Sequence, residues 1–197
     1  MASDPNTAAP EPDLAGAMLP PPRALLRDPL AYIAAEHGGQ RALCNLMENL
    51  AGAAGFDRDV ASAILQYLSR DFVRHVRDEE LDLFPQLRAR CLPEDEIETV
   101  LARLNAEHKD EHRLAGDVEV QLRALLDRDA AALDADLRAR LFQYARSLRQ
   151  HLALENSVIL PLARARLSAD DLAALSAAMR ARAAAASAAD ATGPSSR

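Results

Sequence analysis

One skeleton occurs twice in this chain: HVRDEELDLFP at residues 75–85 and HLALENSVILP at residues 151–161. Each copy sets a histidine four residues before a glutamate, and a proline ten residues after the histidine. Side chains four apart share one face of an α-helix, so each copy makes sense only on a helix, with its imidazole and carboxylate aimed at one point. The repeat is longer than the motif. Ala35-Glu36-His37 is echoed by Ala106-Glu107-His108, and the intervals to the next motif histidine are similar, 38 residues (37 to 75) and 43 residues (108 to 151). A two-helix unit used twice relates the halves by a pseudo-two-fold axis, and a paired site can sit on that axis.

Apolar periodicity supplies the helices. The first is capped by Asp28 with Pro29 at its first position and carries Leu30, Ile33, Ala34, His37, Cys44, Met47 and Leu50 before Gly52 and Gly55 end it. A second opens near Asp57 or Asp59 and runs through Ile64, Leu68 and Phe72 to His75 and Glu79. Pro85 is expected to break or kink it, leaving a short tail to about Cys91. Pro93-Glu94-Asp95 starts a third, with Ile97, Leu101, Leu104, His108, His112, Ala115, Leu122 and Leu126 on one stripe. The fourth carries Leu141, Tyr144, Leu148, His151 and Glu155 to a break at Pro161. Ser168-Ala-Asp-Asp caps a fifth, alanine-rich helix, packed outside or frayed. The expected fold is all-α: an antiparallel four-helix bundle over residues 25–166, a C-terminal helix and tail over 167–197, and a disordered Pro/Ala-rich arm over 1–24.

Composition narrows the partners. The net charge is −7, and acidic and basic residues alternate along the helices, which argues against nucleic acid or an anionic membrane surface as partner. Neither a secretory signal nor a membrane span is readable, so the expected location is the cytoplasm. Cys44 and Cys91 fit no disulfide framework or zinc spacing and are expected to be core or helix-end thiols.

All five histidines, His37, His75, His108, His112 and His151, fall on apolar stripes. If such a stripe takes a third of a helix's circumference, the chance odds are on the order of one in a few hundred. A lone inward histidine is usually a core residue bonded to a neighbour. Five of them with at least two carboxylates would leave unpaired polar groups costing roughly 1 to 3 kcal/mol each. A cation removes that cost, since neutral imidazole and ionised carboxylate are metal ligands. About seven nitrogen and oxygen ligands exceed what one structural zinc takes and suit two ions, with iron favoured over manganese or zinc. A ferritin-like centre would need Glu-x-x-His on two helices, the reverse of the order here. Among neighbouring residues, Tyr144 is either a donor to a bound ligand or a core tyrosine. Glu36, Glu80, Glu107 and Glu111 point about 100° away from their ligand neighbours, to outer positions or solvent. Asp71 and Glu119 are candidates to accept ligand N–H bonds.

Taken together, AEH at 35–37, HVRDEELDLFP at 75–85, EHKDEH at 107–112 and HLALENSVILP at 151–161 resemble the hemerythrin-like (HHE cation-binding) family. The resemblance spans residues 28 to about 165. It implies a centre of two iron ions (Fe2+ or Fe3+) with an oxo or hydroxo bridge inside the bundle. One iron would take His108, His112 and His151, the other His37 and His75, with Glu79 bridging and Glu155 as second bridge. Oxygen-carrying members place that second carboxylate one residue later, where this chain has Asn156. The counterpart of His112 in the first repeat is Arg41. With His112 the set resembles the asymmetric oxygen-binding type; without it, four histidines and two glutamates resemble relatives implicated in repair of iron centres under nitrosative stress. The resemblance thus implies a small-molecule partner, dioxygen or else nitric oxide or peroxide, and a metal- and oxygen-binding protein in preference to a dedicated enzyme. The alternative is a di-iron redox or repair protein.

Overall fold

A computed structural model describes residues 14–128 and 130–191, and these contain helices and connections without a strand. The arm expected to lack structure falls outside the described residues over 1–13. From Leu14 it is ordered, with α1 at Leu14–Ala17, Met18 buried against the bundle, and a 3₁₀ turn at Arg23–Arg27.

Four long helical rods form the bundle. The first is α2, Pro29–Gly52, capped as expected: the Asp28 carboxylate accepts the Ala31 N–H at 3.0 Å. The second rod opens on Asp57, whose side chain accepts the N–H groups of Asp59 and Val60. It comprises α3 (Arg58–Gln66), a π turn (Tyr67–Phe72), α4 (Val73–Asp78), a π turn (Glu79–Leu83) and α5 (Phe84–Arg90). The third rod is α6, Ile97–Asp127. Pro93–Asp95, expected to open that rod, forms a separate 3₁₀ turn, and Glu96 in the left-handed region (φ 49°) divides it from α6. The fourth rod is α7 (Ala135–Leu154, capped by Asp134), a π turn (Glu155–Ile159) and α8 (Leu160–Arg166). Among the described residues no helix is long and apolar enough to cross a membrane.

Neither motif proline breaks its rod, contrary to expectation. Pro85 and Pro161 have no N–H to give, and in a regular helix their rings would press on the carbonyl four residues back. One widened turn ahead of each proline resolves both problems. Its closing bonds run from the Phe84 N–H to the Glu79 carbonyl and from the Leu160 N–H to the Glu155 carbonyl, five residues apart in each case. Both widened turns begin on the motif glutamate.

Apolar packing is divided in two. One cluster gathers Leu43, Met47, Ile64, Leu68, Val118 and Leu148; the other gathers Ile33, Phe84, Leu87, Leu101, Leu104 and Leu160. On every rod the change from one cluster to the other falls at a histidine or motif glutamate, so a polar layer crosses the middle of the bundle.

The fifth helix, α9 (Ala169–Ala191), is neither frayed nor detached. Its Ser168 and Asp171 cap one another reciprocally, Leu175 and Met179 join the second apolar cluster, and the Ser176 hydroxyl donates to the Leu26 carbonyl. Farther along, Arg182 donates to Asp82 and to Asp78, a carboxylate only 1% exposed. Because removing one partner strands a buried charge, Arg182→Met should cost about 3 kcal/mol of stability at pH 7 in urea denaturation. A loss below about 0.5 kcal/mol, the scale of surface substitutions, would show that the pair does not hold α9.

Candidate metal centre

Six sequence-predicted ligands meet in the polar layer: His37 from α2, His75 and Glu79 from the second rod, His108 from α6, and His151 and Glu155 from the fourth. They are at most 2% exposed. The Nε2 atoms turn toward the two carboxylates. His37 lies 3.8 Å from Glu79 Oε1 and 3.3 Å from Glu155 Oε2. His75 and His108 lie 3.5 and 3.4 Å from Glu79 Oε2, and His151 lies 3.1 Å from Glu155 Oε1. Two overlapping groups result, His37/His75/Glu79/Glu155 and His108/His151/Glu79/Glu155, each able to bring four ligand atoms within 4.8 Å of one another, and both contain both glutamates.

These atoms fit cations. All four oxygens of Glu79 and Glu155 are buried without a hydrogen-bond partner, as are Nε2 of His37 and His75. His108 Nε2 and His151 Nε2 face one another at 3.2 Å. Ligands about 2.1 Å from one ion at right or tetrahedral angles are roughly 3.0–3.4 Å apart, near the separations found here. Protons are the other source of neutralising charge. Burial alone would push the His75 pKa down, but the charge of Glu79 and the hydrogen bond to Glu36 outweigh it and hold the imidazole up to about 10. For His151, burial is likewise outweighed, mainly by Glu155, and the pKa is again up to about 10. Glu79, which burial alone would raise, is held well below the usual carboxylate range by His75 and His108. An ion that takes these ligands displaces the imidazole protons.

Each imidazole's other nitrogen has an orienting acceptor on a different rod. The His75 Nδ1–H donates to Glu36 (3.1 Å), His151 to Glu107 (3.1 Å), His108 to Glu80 (2.9 Å) and His37 to the amide oxygen of Asn156 (3.2 Å). That assigns the metal-facing nitrogen of every ring. The pseudo-symmetry extends to these contacts: Glu36 and Glu107 precede the rod-leading histidines, whereas Glu80 and Asn156 follow the motif glutamates. Position 156 therefore orients His37 while Glu155 faces the core. Three of the four carboxylates assigned to outer positions or solvent, Glu36, Glu80 and Glu107, take the outer positions as acceptors for histidines across the bundle; which histidine each serves is not visible from angles on a single helix.

Other expectations are corrected. His112 is exposed on α6 and outside both groups, its ring 5.1 Å from that of Phe72. Glu111, three residues after His108, is the side chain that turns inward: it is fully buried, its oxygens lack partners, and Oε1 lies 3.8 Å from His151 Nδ1. Arg41, the counterpart of His112, is exposed too, and Gln40, the counterpart of Glu111, is buried. His112→Ala should therefore leave the bound iron count and visible spectrum unchanged; loss of an iron would return His112 to the ligand set. Asp71 pairs with Arg74 and Glu119 with Arg123, so neither orients a ligand. Tyr144 is a core residue, edge-on to Phe72, with a buried hydroxyl that has no partner. Cys44 is buried in the first apolar cluster and Cys91 ends α5, both free thiols as expected.

Comparison with known proteins agrees with this geometry. The family model described as the hemerythrin HHE cation binding domain matches residues 28–163. A protein of Haemophilus influenzae described as uncharacterized is similar, 34% identical over 109 residues, which is 55% of this chain and 59% of that protein. The chain thus spans about three-fifths of that relative's length.

Proposed function

Because this chain belongs to the hemerythrin HHE cation-binding domain family, we propose that it is a non-haem di-iron protein acting on a small molecule such as dioxygen, nitric oxide or peroxide. The observation that carries the reading is the pair of overlapping four-residue groups that share Glu79 and Glu155. His37 and His75 would hold one iron, His108 and His151 the other, with the two glutamates common to both. Iron held there supplies a redox-active Lewis acid in a water-poor core. The protein's contribution is fixed before any ligand arrives. Glu36, Glu80, Glu107 and Asn156 keep four Nε2 atoms pointing inward, two carboxylates would offset the ions' charge, and apolar clusters on both sides exclude water.

Of the two readings of such a centre, reversible dioxygen binding and redox or repair chemistry, the second has the stronger support. The fifth histidine that would make the set asymmetric faces outward, leaving two histidines to each side. This is the four-histidine, two-glutamate set that the resemblance links to repair of iron centres. The test is to load the protein anaerobically with ferrous iron and follow its visible spectrum through successive additions and removals of dioxygen, nitric oxide and peroxide. Redox or repair chemistry gives irreversible spectral change with consumption of the added molecule or release of iron. Bands that rise and fall through repeated oxygen cycles with no consumption would establish the carrier reading instead.

A further inference from the structure

The two halves of the centre match in their ligands and differ in the charge around them. Around His37 and His75 the outer groups are neutral or neutralised. Asn156 and Gln40 are amides, and Glu36, 4% exposed, is paired with Arg74. Around His108 and His151 two of the pseudo-equivalent positions gain a carboxylate, Glu80 for Asn156 and Glu111 for Gln40, while Glu107, in the place of Glu36, is likewise paired, with Arg103. Two of these reach the surface, Glu80 with 36% and Glu107 with 24% of its side chain exposed. Glu111 lies beneath them, fully buried and unpartnered at both oxygens, and shares His151 Nδ1 with Glu107, the two carboxylates lying 3.8 and 3.1 Å from that nitrogen. A buried carboxylate with no donor is costly unless a cation or proton visits it.

We propose that metal cations enter the centre through the His108/His151 half, by an acidic path in which Glu80 and Glu107 attract the hydrated ion and Glu111 is an inner waypoint. The path rests on the two-ion reading of the centre, and a protein that takes up no metal would defeat that reading first. A hard divalent cation fits successive carboxylates, each of which replaces part of its water shell. Charge of one sign leading into a low-dielectric interior concentrates the counter-ion and speeds its association by tenfold or more. The other half is less acidic, since the amides Asn156 and Gln40 stand where Glu80 and Glu111 stand here, and its one orienting carboxylate, Glu36, is 4% exposed and paired with Arg74.

The test follows uptake of Co2+ by metal-free protein through the cobalt visible bands, with final metal per chain measured separately. Glu111→Gln installs the side chain found at the pseudo-equivalent position 40. It should slow uptake about tenfold while leaving the final metal count equal to wild type. Arg103→Gln, which removes the guanidinium bonded to Glu107 at 2.7 Å, should speed uptake and should not alter the count. Asp71→Asn, a charge change on the other half, should leave the rate unaltered. Wild-type uptake should also slow with added salt more steeply than that of Glu111→Gln. Normal wild-type loading with a Glu111→Gln rate within twofold of wild type would overturn the path and leave the two-ion centre standing. A lowered final count in Glu111→Gln would overturn it in the other direction, by making Glu111 a permanent ligand.

Discussion

Glu155→Gln protein, loaded anaerobically with iron and desalted, should retain about one iron per chain or fewer where wild type retains about two. Glu155 belongs to both ligand groups, with its oxygens 3.3 Å from His37 and 3.1 Å from His151, so losing its charge weakens both halves at once. The glutamine keeps the shape, and the His151 imidazole can lose its proton once the Glu155 charge that holds it is gone, so the metal-free fold should survive. Asn156→Ala makes a sharp contrast. It should keep both irons but bind them about 10- to 100-fold more weakly, because His37 loses the acceptor that orients it. Asn156→Asp should restore or raise affinity, since the equivalent position in the other half is the carboxylate Glu80. If Asn156→Ala lost an iron outright while Glu155→Gln kept both, the bridge would belong to position 156.

Removal of the metal should expose a pH dependence that the loaded protein lacks. His75 and His151 ionise near 6.5 in an unfolded chain and are held up to about 10 here, against burial, by their carboxylate neighbours. A raised folded-state pKa stabilises fully below the unfolded value, and that contribution is lost as pH climbs from about 6.5 toward 10. Glu111, pushed by burial up to about 7 from an ordinary 4.5, acts in the same direction at lower pH, between those two values. Chelated protein should therefore lose stability steadily as pH rises. Iron-loaded protein should not, because bound metal takes the place of the protons and its affinity grows as ligands deprotonate. With free iron about a thousandfold above its dissociation constant, binding adds about 4 kcal/mol, or roughly 8–16 °C in Tm for a chain this size. Thermal melts of both forms between pH 6 and 9 should diverge. Parallel curves would mean that the histidines and carboxylates are not neutralised by metal.

Much of the fold and of the histidine–glutamate cluster in its core was legible in the sequence because both depend on spacing within single helices. Period 3.6 marked the rods, Asp28 and Asp57 marked two starts, and the four-residue separation in each motif put His75 with Glu79 and His151 with Glu155. The same rule misled at His112, which is also four residues from a histidine. Which of positions 111 and 112 turns inward is set by how α6 packs on its neighbours, and the outward Arg41 at the repeat-equivalent place was the available clue. Which histidine each orienting acceptor serves was hidden for a related reason. Glu36 beside His37 serves His75, a contact between rods 39 residues apart in sequence that no single-helix projection displays. The prolines misled in another way: they do interrupt the regular α-helical bonding, but one π turn absorbs the interruption and keeps the rod continuous. Order in α1 and α9 depends on contacts with the bundle, such as Arg182 with Asp78, and local composition carries no sign of them.

The central claim is that four histidines and two shared glutamates hold a pair of iron ions in the core. Its most direct test is the metal content of full-length protein loaded anaerobically with ferrous iron, freed of unbound metal and measured by mass spectrometry alongside protein concentration. The expected result is about two irons per chain, falling to about one or fewer in Glu79→Gln and Glu155→Gln. Fewer than about one iron per chain in the wild type, or a wild-type count that neither substitution changes, would contradict it.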